Sequence, residues 1–313
     1  MALAKRPRFT ETHSADSYRL PEPSLYVSGR SGEARSHHST QLATRCPDSV
    51  FVDVHETGSG QIVIIRDSEE TSISLRSISG LTEFWKQTTL PCYLDMTGLT
   101  HPTWAALLRG ALIAKVDIRV VYVEPIRYRF NRIRTQGELF DLSIKFEGIG
   151  PLPGFLSLAE PSEDDVVFVP LLGFEGPRFS MVLNQVEVPR ERIIPIIGVP
   201  GFQPEFVFYA YQGNRLPLEE TRSWMSVMYA AANCPFSLFY TLEDLLLRND
   251  EAFFRVAPIG TKPHSLGAIL FALANPDRVE LIYDHPERRA GRSTGLARLL
   301  VYHVAALREQ LKL

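Results

Sequence analysis

The segment 256–270 constrains the fold more than any other part of the chain. It has the pattern of a strand end, a glycine turn that carries Thr261 and Lys262, and an apolar helix, and a further apolar segment follows at 279–283. A strand, a helix and a second strand in this succession form a β-α-β unit, which is a component of parallel sheets. The segment therefore predicts an α/β protein.

The turn Gly260-Thr261-Lys262 is a candidate site for phosphate or another anion. The first backbone N–H groups of a helix have no partner within the helix, and they attract negative charge. A hydroxyl and an ammonium beside them would add strong, charge-assisted hydrogen bonds. The structural alternative is a plain helix entry in which Lys262 is only solvated.

The segment 91–112 repeats this pattern. An apolar strand ends at Asp95 and Thr97, the chain turns at Gly98, and an apolar helix follows. Because the segment matches the first turn, Asp95 and Thr97 are predicted as ligand contacts. The alternative for Asp95 is a carboxylate that caps the next helix.

Two more apolar strands are predicted in the middle of the chain, one that begins at 166 and one at 193–197. The first is followed by a glycine turn that contains Glu175 and Arg178. In open α/β sheets, the loops after the carboxyl ends of the strands line the ligand crevice. Glu175 and Arg178 are therefore predicted to bind the ligand, and the alternative is a structural ion pair between them.

The pattern divides the chain into three parts. Residues 1–45 show neither helical nor strand periodicity, which predicts a disordered or extended N-terminal arm. Residues 46–160 are predicted as a first α/β half, and residues 161–313 as a second half with a helical insertion at 214–250. The predicted fold is Rossmann-like, with a mainly parallel, doubly wound sheet.

Composition narrows the classes of partner. The net charge of −3 gives no general attraction to nucleic acid, so direct nucleic-acid binding is not expected. No apolar run approaches the roughly 20 residues that cross a bilayer, so we expect a cytoplasmic protein without membrane contact. The three cysteines lack metal-binding spacing, and motifs of P-loop, nicotinamide-binding and common hydrolytic enzymes are absent.

The turn at 258–262, with its Ala/Leu-rich helix and the strand that ends at Tyr283, resembles the CRISPR-associated Rossmann-fold (CARF) sensor family. In that family a Thr-Gly-Gly-Thr-Lys-like turn opens a helix and contributes to binding a cyclic oligonucleotide messenger. The resemblance implies ligand contacts at Gly260, Thr261 and Lys262. Pro258-Ile259 stands in place of a Thr-Gly step.

The segment around Asp95 looks like a second, degenerate version of the same turn. It carries Leu99 and His101 where the family has glycine and lysine. The resemblance implies ligand contacts at its matching positions, which are Thr97, Gly98 and Thr100. Its implied setting is a prokaryotic antiviral defence system.

We therefore expect a non-enzymatic nucleotide-sensing or scaffolding subunit. It would bind a phosphate-bearing nucleotide ligand, and its partner would be a separate effector protein or further copies of itself. The alternative is a metal-dependent nuclease or nucleotide hydrolase with Asp95 and Glu175 as carboxylates. A purely structural partner protein is a third possibility. The sequence assigns no catalytic residue, cofactor or metal ligand.

Overall fold

The chain divides into two units, and each contains its own sheet. The N-terminal unit comprises Phe9–Tyr128, Ala290–Glu309 and Leu313, and the C-terminal unit comprises Arg129–Arg289 with Met1–Arg8 and Gln310–Lys312. This computed structural model describes residues 6, 9–58, 60–66, 69–135, 138–140, 142–146, 148–157, 159, 161–162, 165–186 and 188–313.

The elements of residues 9–128 come first in the chain. The strands are β1 (Thr10–Ser14), β2 (Leu25–Ser28), β3 (Val50–Glu56), β4 (Gln61–Arg66), β5 (Glu69–Ser74), β6 (Cys92–Asp95), β7 (Ile118–Val123) and β8 (Arg127–Tyr128). The helices are α1 (His38–Arg45), α2 (Ile78–Lys86) and α3 (His101–Ile113).

The elements of residues 129–289 follow. The strands are β9 (Phe130–Thr135), β10 (Glu138–Phe140), β11 (Ser143–Phe146), β12 (Gly150–Pro151), β13 (Val166–Leu172), β14 (Ile196–Gly198), β15 (Met228–Ala230), β16 (Phe253–Ala257), β17 (Val279–Tyr283) and β18 (Pro286–Arg288). The helices are α4 (Gly176–Leu183), α5 (Phe206–Gly213), α6 (Arg215–Thr221), α7 (Pro235–Arg248) and α8 (Lys262–Ala274). The strands β19 (Ser293–Thr294) and β20 (Arg298–Tyr302) then belong to the N-terminal unit.

The N-terminal unit is built on an eight-stranded sheet in the order β1-β20-β7-β6-β2-β3-β4-β5. The four central strands β7, β6, β2 and β3 are parallel, and antiparallel strands extend the sheet on both sides. From β2 the chain moves outward to β3, and it later returns to the other side of β2 to form β6. The strand order therefore reverses between β2 and β6.

The C-terminal unit is built on a six-stranded sheet in the order β12-β17-β16-β13-β14-β15. All its strands except β12 are parallel. Its central strand β13 is buried at every position, as a continuous apolar run in a parallel sheet should be. Helix α7 packs on α8, and α4 and α5 pack on α6. Here the strand order reverses between β13 and β16.

The prediction of an α/β protein with parallel strands is confirmed. The two predicted β-α-β units do not share one sheet, however, because β6-α3-β7 lies in the eight-stranded sheet and β16-α8-β17 in the six-stranded one. The first boundary between the two units lies between residues 128 and 129, whereas the sequence pattern predicted it between residues 160 and 161. Residues 160, 163 and 164, beside the predicted boundary, lie outside the described residues.

The predicted N-terminal arm differs from the structure between residues 9 and 45. Strand β1 pairs with β20, and β2 lies fully buried between β3 and β6. Sequence periodicity does not reveal a strand of four residues, because it spans only two full alternations. Residues 1–5 and 7–8 of the predicted arm lie outside the described residues.

The predicted helical insertion at 214–250 also differs. This segment contains α6 and α7, but between them β15 pairs in parallel with β14. The segment is therefore part of the sheet and supplies its terminal strand. Strand β15 has only three residues, which left no separate strand pattern in the sequence.

Candidate functional site

The carboxyl edge of the six-stranded sheet carries two loops that are bound to each other. We call residues 231–234, after β15, the β15 loop, and residues 258–261, after β16, the β16 loop. Thr261 Oγ1 donates to the carbonyl oxygen of Ala232 over 2.8 Å, and His264 Nε2 lies 3.1 Å from the carbonyl oxygen of Ala231. Helices α7 and α8 begin directly after these loops. The N-terminal ends of both helices are thereby held at one edge of the sheet.

The three residues of the predicted anion turn have distinct roles at this edge. Thr261 is the N-cap of α8, since its hydroxyl also accepts a hydrogen bond from the backbone N–H of His264. Lys262 follows as the first residue of α8 and is only 4% exposed. At Gly260, a Cβ atom would lie 2.9 Å from the carbonyl oxygen of Leu171. The β16 loop therefore packs too tightly on the end of β13 for any side chain at this position.

His264 is a buried polar residue that sequence reasoning did not single out as part of this site. It is 0% exposed, and its Nδ1 atom has no hydrogen-bond partner in the described part of the chain. Burial lowers the pKa of His264 to about 4, although the backbone oxygens near it favour the protonated form. The imidazole is therefore neutral at pH 7. Its only sequence signal is its position two residues after Lys262.

The low pKa of His264 predicts that acid destabilises the protein. The unfolded histidine takes up its proton near its ordinary pKa of 6.5, whereas the folded one stays neutral down to about pH 4. Stability is thus fully present above pH 6.5 and is lost as the pH falls from 6.5 to 4, by about 3 kcal/mol for this group. We expect urea titrations at several pH values to show a steeper loss for the wild type than for His264→Gln, which does not titrate. Equal slopes would contradict this prediction.

The strand order reverses between β13 and β16, and Glu175 and Arg178 lie on the β13 side of this reversal. Glu175 is in the loop after β13, and Arg178 is in the first turn of α4. The Arg178 guanidinium binds both oxygens of Asp284 over 2.6 and 2.7 Å, and it also donates to the carbonyl oxygen of Ile259 over 2.8 Å. Burial by itself would lower the pKa of Arg178, but the Asp284 carboxylate outweighs it and raises the pKa above its usual range. Arg178 therefore joins α4 to the β16 loop and to the end of β17.

The Glu175 carboxylate binds the start of β11 instead. One carboxylate oxygen accepts a hydrogen bond from the backbone N–H of Leu142 over 3.2 Å, and the other accepts from the Ser143 hydroxyl over 3.0 Å. Arg178 Nη1 and Glu175 Oε2 are 3.9 Å apart, whereas the Arg178 guanidinium lies 2.6 Å from Asp284. Of the two carboxylates near Arg178, Asp284 is therefore its main partner.

The remaining predicted residues lie in the N-terminal unit, after β6. Asp95 is 1% exposed and accepts a hydrogen bond from the backbone N–H of Thr97 over 2.8 Å. Its second oxygen lies 3.3 Å from both the Tyr26 hydroxyl and His38 Nε2. Burial and the Asp95 charge raise the pKa of Tyr26 well above its usual value, so this hydroxyl stays protonated. Asp95 thus belongs to a buried polar network.

Thr97, Gly98 and Thr100 make contacts within the same unit. Thr97 Oγ1 accepts a hydrogen bond from the backbone N–H of Val123 over 2.9 Å. Thr100 donates from both its hydroxyl and its backbone N–H to Glu56, over 2.6 and 2.9 Å. Gly98 packs against the backbone of Gly29, which follows β2. These contacts join the segment after β6 to the loop after β2 and to the ends of β3 and β7.

A second buried network lies near the same sheet edge, and no sequence pattern indicated it. Glu33 is 5% exposed, binds Arg35 over 2.9 Å and Arg292 over 2.7 Å, and accepts a hydrogen bond from the Ser293 hydroxyl. Burial raises the pKa of Glu33, but the two arginines outweigh burial and lower it well below its usual range. Glu33 and Arg35 lie in the segment predicted as an arm, and Arg292 is distant in the chain.

The nine predicted site residues therefore fall into two groups. Those of the C-terminal unit are Gly260, Thr261, Lys262, Glu175 and Arg178, and those of the N-terminal unit are Asp95, Thr97, Gly98 and Thr100. The two carboxylates of the alternative enzyme, Asp95 and Glu175, lie in different units. Within the described residues, no group of three or more His, Cys, Asp or Glu side chains is placed to hold a metal ion.

Among the described helices, none is long and apolar enough to cross a membrane. No protein-family model matches the sequence, and the comparison with curated proteins finds no match.

Proposed function

We propose that the protein is a non-enzymatic binder of a phosphate-bearing nucleotide, which it holds at the carboxyl edge of the six-stranded sheet. The parallel strands of this sheet run in the order β15-β14-β13-β16-β17. This order agrees with the proposed Rossmann-like, doubly wound sheet, in which ligands bind at the reversal of strand order. The β16 loop lies at that reversal, between the ends of β13 and β16.

The observation that carries this proposal is the burial of Lys262 at the first position of α8. A helix N-terminus has a partial positive charge, and the ammonium adds a full one beside it. A phosphate bound there would interact favourably with both positive charges. The neutral His264 adds no further positive charge at pH 7.

The other residues of the loop are proposed to shape the site. The Thr261 hydroxyl already donates to Ala232 and accepts from His264, so it fixes the turn and does not itself reach the ligand. Arg178 is likewise committed to Asp284 and to the backbone of the β16 loop. Lys262 and the backbone N–H groups of the turn are proposed to contact the phosphate. The defence setting and the separate effector stay predictions that rest on the resemblance at 258–283.

The proposal predicts that Lys262→Met weakens nucleotide binding. Wild type, Lys262→Met and Lys145→Met are titrated by calorimetry with inorganic phosphate, mono- and dinucleotides and cyclic oligonucleotides. Lys145 is a matched control, because it is a lysine of the same unit that is 61% exposed. Loss of one charge-assisted contact is worth about 1.5–3 kcal/mol, which corresponds to about a 10- to 100-fold weaker affinity for Lys262→Met alone.

Thermal unfolding provides an independent measurement on the same three proteins. A ligand at about 100 times its dissociation constant stabilises the wild type by about 2.7 kcal/mol, and this shift should shrink in Lys262→Met. Melting without ligand shows whether the variant still folds. The proposal is overturned if no phosphate-bearing compound binds the wild type, or if Lys262→Met binds as tightly as Lys145→Met.

A further inference from the structure

A buried histidine lies at the strand-order reversal of the eight-stranded sheet. His38 is the first residue of α1 and is 2% exposed. Its Nε2 atom lies 3.0 Å from the hydroxyl oxygen of Tyr26, on β2, and 3.3 Å from Oδ2 of Asp95, the last residue of β6. All three side chains are buried, and they join α1 to the two strands on either side of the reversal.

The second nitrogen of His38 shows where one proton of the imidazole lies. His38 Nδ1 is 3.0 Å from the carbonyl oxygen of Arg35. A carbonyl oxygen can only accept a hydrogen bond, so Nδ1 carries a proton. In a neutral imidazole, Nε2 would then have a lone pair and no proton. The protonation of Nε2 therefore decides whether the network can satisfy all its hydrogen bonds.

A neutral imidazole leaves this network one proton short. His38 Nε2, Tyr26 Oη and Asp95 Oδ2 lie within 3.3 Å of one another. The Tyr26 hydroxyl has a single proton, which it can donate to the imidazole or to the carboxylate but not to both. One of these two groups would then be a buried acceptor without a donor, which is unfavourable, and most unfavourable for a charged carboxylate.

One additional proton satisfies every group in the network. Protonated His38 Nε2 donates to Tyr26 Oη, and the Tyr26 hydroxyl then donates to Asp95 Oδ2. The other oxygen of Asp95 accepts from the backbone N–H of Thr97 over 2.8 Å. The start of α1 disfavours a cation, but its partial charge is smaller than the full charge of the carboxylate. Burial and the Asp95 charge raise the pKa of Tyr26, so the phenol keeps its own proton.

The other titratable groups nearby do not replace the carboxylate of β6. Tyr18 and Tyr93 lie near the Tyr26 ring, and burial raises the pKa of both, so they are neutral. The guanidinium of Arg35 binds Glu33 over 2.9 Å. Among the described residues, the carboxylate of β6 is the charged group in ion-pair contact with the imidazole.

We propose that His38 and Asp95 hold an extra proton in the folded protein, and that this proton makes the network a pH-sensitive latch. While the proton is bound, an imidazolium and a carboxylate hold α1 against β2 and β6. When it leaves at alkaline pH, a lone pair faces the carboxylate over 3.3 Å and the latch loosens. The loops after β2 and β6, which contact each other at Gly29 and Gly98, then lose this support.

The pH dependence of the latch has a definite sign. An unfolded histidine loses its proton near pH 6.5, whereas the folded pair keeps the extra proton above that pH. The folded state then binds more protons than the unfolded state. The stability that the latch contributes is therefore fully present below about pH 6.5 and is lost as the pH rises above it. While the proton stays bound, the unfolding equilibrium constant rises about tenfold per pH unit relative to a variant without the imidazole.

NMR of the full chain with isotope-labelled histidine tests the proton directly. At about pH 7.5, above the ordinary histidine value, both ring nitrogens of His38 should carry a proton. The His38 signal is identified by its loss in His38→Gln and by its shift in Tyr26→Phe, which keeps both charges and should keep both protons. Asp95→Asn removes the anion, and only one nitrogen should then be protonated. His37→Gln is the matched control, because His37 is the preceding residue and is exposed, and it should leave the signal unchanged.

Urea titrations between about pH 7 and 8.5 provide the second measurement. The stability advantage of His37→Gln over His38→Gln should shrink as the pH rises, by about tenfold in the unfolding constant per pH unit. The proposal is overturned if only one ring nitrogen of His38 is protonated in the wild type, or if the difference between the two variants does not change with pH. Neither measurement involves nucleotide, so this test is independent of the proposed ligand site.

Discussion

Replacing Asp284 by Asn should destabilise the protein by about 3–5 kcal/mol. Asp284 is fully buried and binds the Arg178 guanidinium with both oxygens. The substitution keeps the shape of the side chain but removes its charge, so the buried Arg178 cation loses its main anion and keeps only the Glu175 carboxylate, 3.9 Å away. This penalty is much larger than the loss of a hydrogen bond between neutral groups. Urea titration measures it as a lower free energy of unfolding.

Glu287→Gln is the matched control for this experiment. Glu287 also pairs with a cation, Lys145, over 3.1 Å, but the two side chains are 46% and 61% exposed. An exposed pair is worth less than about 1 kcal/mol, so this variant should hardly change stability. The double variant Arg178→Met/Asp284→Leu should recover part of the loss, because it removes both buried charges together. Equal effects of Asp284→Asn and Glu287→Gln would contradict the assignment of a buried ion pair.

The strand-turn-helix patterns were predictable because each of them is local. Helix α8 is mostly apolar, has Thr261 as its N-cap and carries Pro263 in its first turn, so its sequence specifies both its type and its start. The continuous apolar run of β13 likewise predicts a strand that is buried on both faces. These elements are long or well bounded, and their periodicity or composition needs no information from elsewhere in the chain.

Strand order was not predictable, because short strands depend on distant partners. Strand β2 has four residues and β15 has three, yet one is at the centre of its sheet and the other at its edge. Pairing with neighbours places both strands, and a single sequence contains no record of that pairing. For the same reason, the two predicted β-α-β units could not be assigned to two sheets.

The side-chain contacts of the candidate site could not be predicted for the same reason. The residue types at the turns were visible in the sequence, but their partners were not. Arg178 and Asp284 are 106 positions apart, and Glu33 and Ser293 are 260 apart. Consequently the sequence alone was consistent with two roles for Arg178, binding a ligand or pairing with a carboxylate of the protein. The structure shows that its guanidinium binds Asp284 and the β16 loop.

Gly98 was predicted as a ligand contact, and its surroundings indicate a structural role. A Cβ atom at this position would lie 1.8 Å from the carbonyl oxygen of Gly29 and 2.8 Å from its carbonyl carbon. Gly29 follows β2 and Gly98 follows β6, so the two backbones touch where the strand order of the N-terminal unit reverses. The two loops on either side of this reversal therefore contact each other directly at Gly29 and Gly98.

Gly98→Ala should accordingly destabilise the protein by about 3 kcal/mol, at the upper end of the range for overpacking, because the obstacle is backbone and not a side chain that can rotate. Gly150→Ala is the control, since a Cβ atom there would have its nearest described neighbour at 4.0 Å, and its stability should change by less than about 1 kcal/mol. Thermal and urea unfolding of both variants measure the difference. If Gly98→Ala is as stable as the wild type but binds nucleotide more weakly, Gly98 is a ligand contact and the backbone packing between the two loops is not required for the fold.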